Sequence, residues 1–147
     1  MTLPYLMLAL HVLGASVWAG GHLVLALTVL PRALREQSVE ELERFEAAYE
    51  RIGIPALVLQ VVTGLWLAAR LMPVDRWLDL SNPVSRVVLL KLALLVVTAA
   101  LGVDARLRLI PGLTAERLPA LAAHVIPVTV MAVVFVLAGV SLRFGGI

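Results

Sequence analysis

The sequence contains no cysteine, and that absence removes thiolate zinc sites, iron–sulfur clusters, disulfides, CxxC redox chemistry and covalently attached c-type haem together. Any metal must therefore be held by imidazole, thioether, amine or oxygen. Charge is also scarce: Asp, Glu, Lys and Arg make up 15% of the 147 residues, against 61% hydrophobic residues, and the mean hydropathy is +0.99. Soluble domains carry about 25% charged residues, so this composition excludes that class and points to the bilayer as solvent. Lysine occurs once, at Lys91, and the arginines sit near the ends of apolar stretches without forming a basic run. The net charge of +2 therefore suits lipid headgroups and leaves no footprint for nucleic acid.

What is present is a series of long apolar runs. Residues 3–30 carry no charged side chain and, at about 1.5 Å per residue, exceed the about 30 Å of a hydrocarbon core. The run is too long for a signal peptide's apolar core and has no basic residue ahead of it, which makes it a structural helix. The charged segment that follows has Ser38 and Glu41 spaced as a capping box, predicting an amphipathic surface helix over about 39–51. This helix feeds a second span at about 52–71, with a kink at Pro55 and a stop at Pro73. Asn82 as N-cap and Pro83 as first helical residue open a third span at about 84–103. The Pro111-Gly112 turn and Thr114 lead into a fourth at about 118–142. The expected fold is an all-α integral membrane protein, a single domain of four transmembrane helices in an up-down-up-down bundle. Seven arginines fall in the first and third loops and four elsewhere, so the positive-inside rule places both termini outside the cytoplasm.

Four ionisable residues lie inside these runs, and an intramembrane ionisable group marks a functional site by default. His11 and His22 are eleven residues apart, which at about 100° per residue puts them within about 20° of one face but about 16 Å apart along the axis. Each then needs a partner on another helix. Counting residues from the membrane surfaces sets His11 level with Lys91 and His22 level with His124. The second pair suits bis-imidazole ligation of haem b iron, and Gly14, Ala15 and Trp18 share the histidine face as small neighbours and an aromatic wall. Lys91 is either a neutral ligand or a cation paired with a haem propionate; snorkelling to the interface is the structural alternative. For any one histidine, a helix-to-helix hydrogen bond is an equally valid role. Met7 and Met131, near the faces of His11 and His124, would suit Cu(I), although methionine more often fills a core. Trp66 and Trp77 belong to an interfacial aromatic belt, and Gly64 allows close helix approach.

The string His11-Val-Leu-Gly-Ala-Ser-Val-Trp18-Ala-Gly20-Gly21, the Thr63-Gly64-Leu65 of the second span and the Lys91-Leu-Ala-Leu of the third resemble the copper resistance protein D (CopD) membrane domain. The pattern is also similar to that of HemJ-type protoporphyrinogen oxidases, whose functional first-helix His and third-helix Lys correspond to His11 and Lys91. That resemblance implies a bacterial inner-membrane protein. Where HemJ-type proteins carry an Asn-Glu-Val-Pro-like entry to the last helix, this chain reads His124-Val-Ile-Pro127. The missing Glu weighs against oxidase chemistry and for a divergent member specialised for haem. Three functions follow as expectations. One is a haem b protein in electron transfer or haem chemistry, with a membrane redox partner or quinone. The others are CopD-like copper binding or transport through His11, His22 and His124, and HemJ-like porphyrinogen oxidation. A homo-oligomer is compatible with all three.

Overall fold

The computed structural model describes residues 2–147. Four long helices account for most of them: α1 Leu3–Glu36, α2 Glu40–Leu71, α3 Pro83–Leu109 and α4 Ala115–Phe144, each long and apolar enough to cross a membrane. Helices are the form these sequences must take in hydrocarbon, because every backbone N–H and C=O has to be satisfied within its own segment. Pro55 and Pro127 lie inside α2 and α4 without ending them. α1 contains a π-helical turn at Leu25–Val29, immediately before Pro31, which lacks the N–H that the Leu27 carbonyl would otherwise receive. A second π-helical turn, Ala105–Leu109, ends α3.

The surface helix and the second span are one uninterrupted helix, and its start differs from the capping-box expectation. Val39 is the N-cap residue and no side chain caps the helix. Gln37 adopts the left-handed conformation (φ 51°) and the Ser38 N–H closes onto the Ala33 carbonyl at 3.2 Å, a Schellman-type end to α1. Ser38 is thereby used to stop one helix instead of starting the next, and Glu41 accepts from Arg32 at 2.8 Å. The expected cap of α3 does form: Asn82 Oδ1 accepts from the Val84 N–H at 2.8 Å. Thr114 precedes a short 3₁₀ turn, Ala115–Arg117, that leads into the α-helical Leu118–Ser141.

Packing runs in the spatial order α2, α1, α4, α3, with little direct contact between α2 and α3. One buried apolar cluster sits at the end bearing the first and third loops and includes Leu30, Ala33, Leu42, Leu118 and Leu121. A second lies midway and joins Trp18 and Ala19 of α1 to Val128 and Ala132 of α4. The outer faces stay apolar and unpacked, with Leu27 73% and Val96 68% exposed, as lipid contact requires.

The α1–α2 contact depends on missing side chains. A Cβ on Gly14 would stand 3.1 Å from the Ala56 carbonyl oxygen, and one on Gly21 only 2.0 Å from Tyr49 Cε2. Small residues of this kind let membrane helices approach closely. Gly20, by contrast, faces open space. Gly21→Ala is expected to displace the Tyr49 ring and cost about 1–3 kcal/mol, seen as a lower thermal midpoint in detergent. Gly20→Ala should leave the midpoint unchanged; equal midpoints for both variants would contradict this packing.

Candidate functional site

The polar residues of the spans separate into three places. The first is centred on His11, which projects from α1 onto one turn of α2. His11 Nδ1 lies 2.9 Å from Thr63 Oγ1, and the Gln60 side-chain amide donates to the His11 carbonyl at 2.8 Å. Gly64 makes room for the ring, since a Cβ there would fall 2.9 Å from His11 Cε1. Lys91 faces α4, where a Cβ on Gly139 would stand 3.4 Å from its Nζ. The antiparallel register of α1 and α4 is fixed by Thr129, whose hydroxyl reaches the His22 carbonyl at 3.2 Å. Eleven residues back along α1 from His22 is His11, and eleven onward from Thr129 is residue 140, next to Gly139. His11 and the Lys91 ammonium therefore stand at about one depth. Neither belongs to the two apolar clusters. Among the described residues Lys91 makes no ion pair.

His22 occupies a second, aromatic place. Its ring centroid is 4.6 Å from that of Trp18 and 5.8 Å from that of Tyr49, the latter edge to face. Nδ1 lies 2.9 Å from the Trp18 carbonyl, to which the Tyr49 hydroxyl also donates at 2.9 Å. Trp18 meets Phe135 edge to face at 6.0 Å. Trp18 is thus a packing residue of this cluster, and Gly14 serves the α1–α2 approach.

His124 forms the third place, with α3. Its Nε2 lies 2.9 Å from Asp104 Oδ2 and its Nδ1 3.1 Å from the Ala120 carbonyl, while Arg108 donates to Asp104 Oδ1 at 2.9 Å. Both ring nitrogens thus lie within hydrogen-bond distance of a protein oxygen. The structure does not bring His22 and His124 together: Thr129 is level with His22, so His124 sits about 7.5 Å nearer the loop, turned toward Asp104. Counting from the surfaces missed this because α1 continues to Glu36, six residues past the expected end of its span, which sets His22 deeper from that edge than His124. Asp104 itself was missed, although its spacing of four from Arg108 signals a helical ion pair. Met131 receives a weak contact from the Thr98 hydroxyl at 3.7 Å and packs beside the central cluster. No group of three or more His, Asp or Glu side chains is placed to hold a metal among the described residues.

The separateness of these places has a measurable consequence. In Asp104→Ala, amide hydrogen exchange over the first turns of α4 is expected to rise, because His124 loses its tie to α3, while exchange in α1 around His22 stays as in the wild type. A parallel rise around His22 would mean that the two histidines share one structural unit.

Residues 39–142 match the family model described as copper resistance protein D. The matched segment includes Lys91, Asp104 and His124, whereas His11 and His22 lie ahead of it. No curated protein and no solved structure matches the chain. A match over most of the sequence, taking in three of the four helices long and apolar enough to cross a membrane, assigns this chain to the copper resistance protein D family.

Proposed function

We propose that this membrane protein binds haem b at the His11–Lys91 level, with His11 as the iron-directed imidazole and Lys91 as a second ligand or as the cation for a propionate. The observation that carries the reading is the meeting of an unpaired lysine and a histidine at one depth, outside both apolar clusters. An ammonium in hydrocarbon is costly unless something anionic or electron-accepting compensates it. The donor set also fits the group. A porphyrin brings four nitrogens of its own, so one or two protein donors suffice.

In this arrangement α2 orients His11 through Thr63 and Gln60, Gly64 and Gly139 leave space beside the two polar groups, and the apolar surroundings keep water out. When bound, the haem supplies one-electron redox chemistry, and the protein supplies ligation and burial. The arginine distribution supports an orientation with both termini outside the cytoplasm, which sets this level toward that side of a bacterial inner membrane. Copper binding or passage is the second reading, and the family match favours it.

An absorption spectrum of detergent-purified protein, oxidised and dithionite-reduced, with a pyridine haemochrome assay and metal analysis on the same sample, tests both. The haem reading expects a reduced alpha band that His11→Ala abolishes, Lys91→Ala shifts or weakens, and His124→Ala leaves in place. Colourless wild-type protein containing copper would replace the haem reading with the copper one. Loss of the band in His124→Ala with retention in His11→Ala would move the site to the loop end.

A further inference from the structure

We infer that Thr63 is a positioning residue that decides which nitrogen of His11 is available, holding the ring proton on Nδ1 and leaving the lone pair on Nε2. The value of this for ligand binding rests on the His11–Lys91 reading above; the proton assignment stands on the hydrogen bonds alone.

Thr63 is buried, and its hydroxyl has a single hydrogen to give. That hydroxyl lies 2.6 Å from the carbonyl oxygen of Leu59, one turn back along α2, and 3.5 Å from the carbonyl of Gln60. Both carbonyls can only accept. With its hydrogen committed to Leu59, the hydroxyl offers only lone pairs to His11 Nδ1 at 2.9 Å, so Nδ1 must be the donor. A neutral imidazole carries one N–H, and the other nitrogen is then an acceptor or ligand. Among the described residues no side chain or backbone group hydrogen-bonds His11 Nε2; Thr63 and Gln60 account for the polar contacts of this residue.

The rest of the turn enforces the same pose. Gln60 holds the His11 backbone and Gly64 admits the ring edge, so three residues within one and a half turns of α2 fix the main chain, the protonated nitrogen and the plane of one imidazole. Fixing the tautomer through the remote nitrogen is how proteins commonly aim a histidine at a metal or at an acid. Here a hydroxyl performs that role in place of the more usual carboxylate, which adds no second charge to the membrane interior.

The test is nitrogen NMR of the full chain, labelled with ¹⁵N-histidine and reconstituted in lipid bilayers without added haem or metal. The His11 signals are identified by their loss in His11→Gln. The expected result is a protonated Nδ1 and a bare Nε2 in the wild type, retained in Thr63→Ser and shifted toward protonated Nε2 in Thr63→Val. A wild-type ring protonated on Nε2, or a Thr63→Val ring identical to the wild type, overturns the proposal. Because the wild-type measurement needs no ligand, a protonated Nδ1 in a protein that binds neither haem nor copper upholds the role of Thr63 while sinking the haem reading separately.

Discussion

The constraint that governs this molecule is the absence of water as a hydrogen-bond partner. Inside hydrocarbon an unsatisfied polar group costs several kcal/mol; some side chains of the spans, among them His11, Gln60 and Thr98, reach a neighbouring helix, and several others turn back on their own. Ser16 bonds the Val12 carbonyl, Thr63 that of Leu59, Thr129 that of Val125, and the rings of His22 and His124 face the carbonyls of Trp18 and Ala120. Each uses a carbonyl one turn earlier as a local sink. Lys91 stands apart from both groups, because among the described residues its side chain makes no ion pair. An unpaired ammonium, more than the histidine beside it, is what a ligand at this level would satisfy.

The same constraint explains what the sequence made legible. Apolar run length and the capping signature of Asn82 located four helices, because these signals act on single segments. The start of α2 was harder: Ser38 and Glu41 have capping-box spacing, but a tight left-handed turn at Gln37 consumes Ser38, and only the three-dimensional path shows which of two adjacent uses wins. The site divided in the same manner. The depth of His11 and Lys91 follows from counting along helices whose ends near them are regular. The depth of His22 and His124 does not, since at the other end α1 runs on to Glu36, well past the end of its apolar run. Thr63 as the partner of His11 could not be read from spacing at all, because the contact crosses between helices and depends on the Gly64 gap.

Family membership and geometry inform different questions. The copper resistance protein D match covers three of the four helices and fixes the kind of protein this is. The histidine that organises the candidate site lies on the remaining helix, α1, and is joined to the matched segment by the glycine-lined α1–α2 contact. A change at Gly14 thus acts on the site through helix spacing, whereas one at Gly64 presses directly on the His11 ring.

The order of packing, α2 to α1 to α4 to α3, leaves the bundle as a curved row of staves with one seam unglued. At the loop end that seam is stapled, since Arg106 of α3 reaches Glu46 and Glu50 of α2 at 2.9 and 2.7 Å. At the opposite end the second loop joins α2 to α3 directly, and the buried Ser85 of α3 holds that loop by donating to the Arg76 carbonyl at 2.9 Å. The seam is thus closed at both ends, by an ion-pair staple at one and by the chain itself at the other, and it is only along the middle of the bundle that α2 and α3 make little direct contact.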